Sequence, residues 1–174
     1  MILKNDIIVT AQELMKNGDP VSLDSVARKI GLTKAGLVHH FPTKKALMIS
    51  LVDDVARRWS KMLEETPSSS SPEGRMMTYL NYALSDDIDS SDFAFMTDYK
   101  LKDELYTRWA ELIDKWFDFN DIKDTNRKNA LTTVRLIADG AWFDRGLGML
   151  STSEVERKSI ISTSEVILNN GVNK

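Results

Sequence analysis

Apolar residues recur at helical spacing along almost the whole chain, and alternation with a period of two is scarce. The first apolar stripe ends at Asn17, where a glycine and a proline follow. It consists of Ile7, Ile8, Ala11, Leu14 and Met15. Later stripes predict short helices after Ser22 and Thr33, a long helix over 43–65, and helices near 73–86, 91–98, 100–119, 125–149 and 153–169. We therefore predict an all-α fold.

Composition narrows the class of protein further. The 174 residues contain no cysteine, which excludes disulfides, thiolate nucleophiles and cysteine-ligated metal centres. No run of about 18 apolar residues is present, so we expect no membrane span. The first residues lack the apolar stretch of a signal peptide, and we expect a cytoplasmic protein.

The charge is distributed unevenly. Residues 1–48 hold seven basic and four acidic side chains, a balance of +3, whereas the whole chain has a net charge of -3. A basic N-terminal part on an acidic body is typical of a protein that meets a polyanion, although an imbalance of this size also arises by chance.

The chain divides into two expected domains, over residues 1–48 and 49–174, which share the long helix 43–65. A serine-rich stretch over residues 66–72 is the low-complexity segment, and we predict a solvated connection there. Ser153 and Glu156 form a capping box that predicts the start of the last helix. The acidic residues Asp86, Asp87 and Asp89 predict a solvated loop.

Three residues carry the pattern of a helix-turn-helix. Ala27 is small enough for two helices to cross closely, Gly31 tolerates the positive φ of a tight turn, and Leu37 returns an apolar side chain to the first helix. The second helix then presents Thr33, Lys34, Ala35, Gly36 and His39 outward, where a recognition helix reads base edges. An αα-hairpin with a glycine turn gives the same spacing, so this pattern alone leaves both interpretations open.

The segment Gly31-Leu-Thr-Lys-Ala-Gly-Leu-Val-His-His-Phe-Pro-Thr-Lys-Lys-Ala-Leu47 resembles the signature of the TetR family of transcriptional repressors. The detailed match covers about residues 6–60. The resemblance implies an N-terminal three-helix DNA-binding domain, a fourth helix that links it to a C-terminal helical ligand-binding and dimerisation domain, and a homodimer built from the two C-terminal helices.

The resemblance also implies DNA-binding roles for individual residues. Ser22 and Thr33 lie at helix starts that meet phosphates, and Lys34, Ala35 and Gly36 occupy the edge that faces the bases. His39 matches a position that reaches bases or phosphate, whereas His40 and Lys44 match positions that grip the backbone. Val38 stands where the family usually has a tyrosine, so one hydroxyl contact to DNA is missing.

Metal and catalytic sites are not expected. His39 and His40 are adjacent on a helix, point about 100° apart and cannot chelate one ion together. No Glu-x-x-His motif, no glycine-rich phosphate loop and no histidine beyond this pair is present. We therefore expect neither a cofactor nor an enzyme.

Residues 93–143 carry a large aromatic load that is either core or the wall of a ligand pocket. The expected ligand-binding residues are Trp109, Trp116, Arg135, Asp139, Trp142 and Phe143. Arg135 and Asp139 are spaced i, i+4 on an apolar helix. They pair as structural ions or present charge to a ligand, and the sequence does not separate these alternatives.

The helix predicted over 125–149 is apolar on two sides, so it requires two packing partners. Either it is the central helix of a monomer or its second side meets another subunit, and the resemblance favours the homodimer. Gly140, Gly146 and Gly148 would then allow close backbone contact.

Together these features predict a DNA-binding transcriptional regulator, and specifically a dimeric repressor that a small hydrophobic ligand releases from a palindromic operator in double-stranded DNA. The alternative is a helical ligand-binding or protein-interaction protein with a weakened DNA-binding domain.

Overall fold

The computed structural model describes residues 2–96, 98–149 and 151–172. These residues form helices without a strand, so the predicted all-α fold is confirmed. The α-helices are α1 (Lys4–Lys16), α2 (Leu23–Ile30), α3 (Lys34–His40), α4 (Lys44–Glu65), α5 (Pro72–Leu84), α6 (Lys102–Phe117), α7 (Thr125–Gly146) and α8 (Glu154–Val172). Two short 3-10 helices cover Pro67–Ser70 and Ser90–Met96. The second replaces the α-helix predicted over 91–98, within which Thr97 lies outside the described residues.

Local capping explains where several helices begin. The side chains of Ser22, Thr33, Ser71 and Asp124 each accept a hydrogen bond from a backbone N–H in the first turn of the following helix. At α8 the predicted capping box is present, because Ser153 N donates to Glu156 Oε2 over 2.7 Å and Glu156 N donates to Ser153 Oγ over 3.3 Å.

The chain forms two compact units. The first contains Met1–Arg58 and Asp89–Leu112, and its core includes the fully buried side chains of Ile7, Val26, Leu37, Leu47 and Leu105. The second contains Trp59–Ile88 and Ile113–Lys174, and its core includes Met76, Leu80, Leu131, Val134 and Ala138. Helix α4 contributes residues to both units. The functional division expected at residue 48 stays a prediction.

Most of the serine-rich stretch over residues 66–72 is exposed, in keeping with the predicted solvated connection, but one serine is an exception. Ser69 is only 5% exposed, and its Oγ donates a 2.8 Å hydrogen bond to Thr78 Oγ1 in α5. A Cβ added to Gly74 would lie 1.4 Å from the Ser68 carbonyl oxygen, so only glycine fits there. Serine composition suggested solvent, but short hydroxyl side chains also satisfy their hydrogen bonds against a helix.

Helices α7 and α8 pack closely within the second unit, through a glycine that the sequence did not single out. A Cβ added to Gly171 would lie 2.6 Å from the Ala130 Cβ and 3.3 Å from the Arg127 Cα. Gly148 instead lies just after α7 with a φ of +65°, and a Cβ at Gly140 would meet nothing within 4 Å. No described helix is long and apolar enough to cross a membrane.

Candidate nucleic-acid interface and ligand-binding region

The turn between α2 and α3 has the geometry that the sequence predicts. Gly31 adopts a φ of +75° and a ψ of 25° as the C-cap of α2, a conformation that disfavours any residue with a Cβ. Ala27 is 3% exposed and Leu37 is fully buried, so they supply the close crossing and the returning apolar contact. These packing predictions are confirmed, and they hold α3 in a fixed orientation on α2.

Helix α3 presents its other side chains to solvent. Thr33, Lys34, Ala35 and His39 are exposed, and Val38 is 37% exposed. Thr33 Oγ1 accepts a 3.1 Å hydrogen bond from Gly36 N, and the absence of a Cβ at Gly36 leaves room for this cap. The exposed row therefore combines polar side chains with the small Ala35, and Val38 stands where the family that the sequence resembles usually carries tyrosine.

The remaining predicted DNA contacts flank this row. Ser22 is half-buried at the start of α2, and its Oγ accepts a 3.0 Å hydrogen bond from Ser25 N. His40 is half-buried at the end of α3. Thr43 Oγ1 accepts from Ala46 N, so the first turn of α4 is capped and places Lys44 at its exposed start. Ser22 and Thr33 act as helix caps, and their contacts with phosphate stay predictions.

Exposed basic side chains of this region already have carboxylate partners. Lys34 Nζ lies 3.0 Å from Asp24 Oδ2, and Lys44 Nζ lies 2.6 Å from Asp98 Oδ2. The hydrogen bond from Lys44 holds the pKa of Asp98 below its ordinary value of 3.8. Sequence reasoning missed Asp98, because its partner lies 54 positions away and no local spacing connects the two.

The aromatic residues of the second unit form an interlocked cluster. Trp59 is its centre, with ring centroids 5.0 Å from Tyr79, 5.2 Å from Tyr82 and 5.5 Å from Trp142. Trp142 is 4% exposed and stands edge-on to Phe143 at 5.2 Å. Mutual contact at these distances is the packing of a core. Trp142 and Phe143 were predicted as ligand-binding residues, whereas Trp59 and Tyr79 belong to helices outside the predicted aromatic stretch.

Arg135 and Asp139 form a long ion pair on α7, and each of them also contacts another residue. Arg135 Nε lies 3.7 Å from Asp139 Oδ2, and the Arg135 guanidinium stacks over the Phe117 ring at 5.3 Å. The Tyr79 hydroxyl donates a 2.5 Å hydrogen bond to Asp139 Oδ1. This geometry supports the structural alternative for Asp139, which anchors a core tyrosine. Arg135 lies beside an open cleft of about 450 Å³ that Phe117, Lys128 and Thr132 also line.

The predicted ligand-binding residues belong to both compact units. Trp109 is half-buried in the first compact unit, whereas the other five belong to the second. Trp116 is half-buried there, and its Nε1 donates a 3.2 Å hydrogen bond to Ser60 Oγ. Within the described residues, no group of three or more metal-ligating side chains is arranged to hold an ion.

Apolar side chains remain exposed on the two C-terminal helices. Leu136 of α7 is 66% exposed, and Val155 and Val166 of α8 are 78% and 56% exposed. The opposite face of α7 is buried in its own unit through Leu131, Val134 and Ala138. Helix α7 therefore packs one face in its own unit and leaves Leu136 exposed on the opposite face, and the second packing partner expected from the sequence stays a prediction.

A helix-turn-helix in the N-terminal part of an all-α chain is the architecture of many DNA-binding transcriptional regulators. A sequence profile for the tetracyclin repressor-like C-terminal domain matches residues 73–163. The chain belongs to the TetR family of transcriptional regulators. These regulators are non-enzymatic transcription factors, so the chain is a DNA-binding regulator and not an enzyme.

Solved structures share the fold across nearly the whole chain. AmtR of Mycobacterium smegmatis matches with a TM-score of 0.62 and 16% identity, covering 97% of this chain and 86% of AmtR. A protein described as a transcriptional regulator of Pseudomonas aeruginosa PAO1 matches with a TM-score of 0.61 and 15% identity, covering 98% and 90%. The flavonoid-responsive regulator FrrA matches with a TM-score of 0.58 and 20% identity, covering 96% and 95%. No protein of curated function matches the chain.

Proposed function

We propose that this regulator is a homodimeric repressor that binds a palindromic operator through α3 and the start of α4, and that a small molecule releases it. The observation that carries the proposal is the exposed row Thr33, Lys34, Ala35 and His39 on a helix whose orientation Gly31 and Leu37 fix. Small side chains let a helix approach base edges closely, and the Lys34 ammonium group can donate hydrogen bonds to the O6 and N7 acceptors of guanine.

Lys44 supports the proposal from the adjacent helix. It is exposed at the first position of the 22-residue helix α4, where the positive end of the helix dipole favours an anion. Helix starts and lysines of this kind contact phosphates and set the register of a protein on the duplex. We assign contacts with the DNA phosphate backbone to Lys44 and His40, and contacts with the bases to Lys34 and His39.

The open apolar side of α7 and α8 supports a dimer. Leu136, Val155 and Val166 would be covered by the same helices of a second copy, which gives a two-fold four-helix seam. Two-fold symmetry then accounts for a palindromic site whose half-site centres lie about 34 Å, or a multiple of this, apart.

We place the effector at the cleft beside Arg135 and Phe117. Its volume of about 450 Å³ is within the range of small-molecule sites. The Phe117 ring and the charged side chains beside it are suited to binding a flat aromatic ligand. FrrA is named as flavonoid-responsive, so a protein of this fold responds to a flat aromatic compound. The interlocked Trp59, Tyr79 and Trp142 are assigned to the core instead.

Release would be a shift between two conformers of the dimer. A ligand that binds better to the conformer with unsuitably spaced recognition helices lowers operator affinity by the difference in its own affinities. Because α4 contributes residues to both compact units, we assign the transmission of this change to α4.

The decisive experiment selects bound fragments from genomic DNA and then measures the affinity of the best site from about 50 to 300 mM salt. A palindromic site bound with a steep salt dependence supports the proposal. Absence of duplex binding at low salt would contradict it and favour a helical ligand-binding or protein-interaction protein instead.

Effector binding is tested separately, with flavone and tetraphenylphosphonium as the neutral and cationic probes. Binding should quench tryptophan fluorescence and lower operator affinity, and operator DNA should weaken the probe by the same factor. Thr132→Trp, an exposed position at the cleft, should block the probe while duplex binding persists. Unchanged probe binding in that variant would show that the cleft is not the site.

A further inference from the structure

The basic charge of the N-terminal residues is matched by carboxylates from a segment far along the chain. Lys16, Lys44 and Lys45 pair with Asp89, Asp98 and Glu104, respectively, all within the first compact unit. Three of the seven basic side chains of residues 1–48 are thus engaged by residues 89–104. The balance of +3 that suggested a polyanion partner is met by three negative charges inside the protein itself.

Asp98 has the least exposed side chain of these three carboxylates. Its side chain is 12% exposed, whereas that of Lys44 is 44% exposed. Oδ2 lies 2.6 Å from Lys44 Nζ, and Oδ1 accepts a 3.0 Å hydrogen bond from Lys100 N. Both carboxylate oxygens are therefore occupied, and the charge is fixed in place beside the ammonium group.

The segment that carries Asp98 is anchored on both sides. Before it, Arg58 Nη2 donates to Ser91 Oγ and to Asp92 Oδ1, each over 3.1 Å. After it, Arg108 Nε donates to Asp53 Oδ1 over 2.6 Å, and Leu105 is fully buried. Residues before and after Asp98 are therefore tied to α4 within the first unit, which limits how far the carboxylate can retreat from Lys44.

A phosphate that approaches Lys44 meets this carboxylate. The lysine can turn one N–H toward the phosphate, but a fixed negative charge within 3 Å of the ammonium repels the new anion at close range. The contact therefore gains less than a free lysine would gain. Glu104 places a second, more exposed charge on the neighbouring Lys45, with a distance of 2.8 Å.

We propose that Asp98 limits duplex affinity by competing with the DNA backbone for Lys44. The inference rests on the proposed function, in which Lys44 contacts phosphate, and it adds an internal competitor to that site. A repressor that must be released benefits from such a limit, because tight sequence-independent binding would retain it on DNA after the effector has acted.

The test is Asp98→Asn, which keeps the shape and the acceptor for Lys100 N but removes the charge. We expect affinity for a 30-base-pair duplex of random sequence to rise about three- to tenfold at about 100 mM salt. The slope of log affinity against log salt should steepen by up to about one. Without the Asp98 charge, the full charge of Lys44 can neutralise a phosphate and release the counterion bound there. Asp98→Glu retains the charge and should leave both quantities near those of the wild type.

Two further variants separate the ion pair from the general loss of a negative charge. Asp103→Asn makes the same change at an exposed position in the first turn of α6, and it should raise affinity much less. In a Lys44→Ala background, Asp98→Asn should have little effect, because the competitor has lost its target. Thermal unfolding of each variant checks that the first unit remains folded.

Each outcome decides between the two proposals. A gain that is equally large for Asp103→Asn, or that persists without Lys44, would overturn the competition. A loss of affinity in Asp98→Asn would show that Asp98 orients Lys44 productively, and this result also overturns it. If the wild type and every variant fail to bind duplex at low salt, the proposed DNA-binding function itself fails.

Discussion

Lys34, the first residue of α3, and Asp24, in the first turn of α2, form an ion pair across the helix-turn-helix, with 3.0 Å between Nζ and Oδ2. Both side chains are about 60% exposed, at 63% and 59%. Exposed pairs of this kind contribute about 0–1 kcal/mol, so the pair is easily exchanged for a base. The pair of Lys44 with the mostly buried Asp98 is held more firmly, although both lysines look alike in the sequence.

The two lysines should therefore differ in what they recognise. Lys34→Ala is expected to relax preference at particular base pairs and to cost about 1–3 kcal/mol on the operator if the lysine reads a guanine. Lys44→Ala should weaken operator and random duplex similarly and reduce the salt slope by no more than about one. Competition binding with single-base operator variants measures both effects. Equal losses on operator and random DNA for Lys34→Ala would contradict its assignment to the bases.

The dimer seam is best tested at Leu136. Ala141 of the same helix is half-buried in its own chain, so a glutamate there would also disturb the protomer. Leu136→Glu acts at a side chain that is 66% exposed and should convert a folded dimer into a folded monomer. Asn81→Glu, at an exposed position of α5, is the control and should leave the dimer intact. Sedimentation velocity distinguishes the states, and a folded dimer in Leu136→Glu would mean that the seam lies elsewhere.

The fold was predictable because its determinants are local. The conformation of Gly31, the cap at Thr33 and the capping box at Ser153 each involve residues within a few positions, so spacing reveals them. Helix α7 was predicted for the same reason, since its apolar positions repeat every three or four residues.

The site was less predictable because its partners are distant in sequence. Nothing near Lys44 indicates Asp98, and nothing near Trp142 indicates Trp59, because a ring contact or an ion pair between helices leaves no local spacing. The polar composition gave no sign that Ser69 is buried against α5. Apolar spacing predicted an α-helix near residues 91–98, where the structure has a 3-10 helix over Ser90–Met96. Such contacts depend on how the helices pack against one another, which the local sequence of each helix does not determine.

Two tryptophans should respond very differently to truncation. Trp142 is buried against Trp59 and Phe143, so Trp142→Ala should lower the free energy of unfolding by about 3–5 kcal/mol. Trp116 is half-buried and outside those contacts, so Trp116→Ala should cost about 1–2 kcal/mol. Urea unfolding followed by circular dichroism measures both. Similar small losses would mean that the ring cluster is not the core and would reopen Trp142 as a ligand contact.

The close approach of α7 and α8 predicts a coupled pair of substitutions. Gly171→Ala places a Cβ 2.6 Å from the Ala130 Cβ and should destabilise the protein by about 1–3 kcal/mol. Ala130→Gly removes the obstructing atom, so the double variant should be more stable than the sum of the two single losses predicts. Simple additivity in a double-mutant cycle would show that the helices separate to admit the new atom.

The ion pair between the starts of α5 and α7 should make the second unit sensitive to acid. Arg127 Nε and Nη2 donate to the two oxygens of Glu73 over 2.6 and 3.0 Å. This hydrogen bonding from Arg127 holds the pKa of Glu73 below its ordinary value of 4.5. The contribution is therefore complete above about pH 4.5 and is lost progressively as the pH falls toward the lower pKa of the folded state.

Glu73→Gln should remove this dependence. We expect the variant to be less stable than the wild type by about 1–2 kcal/mol near pH 7, with the difference shrinking below about pH 4.5. Urea unfolding between about pH 3 and pH 7 measures the difference, with Glu154→Gln as the control, because the Glu154–Lys158 pair is about three-quarters exposed and should contribute little. A difference between wild type and Glu73→Gln that stays constant across this range would mean that Glu73 stabilises α5 by packing and not through its charge.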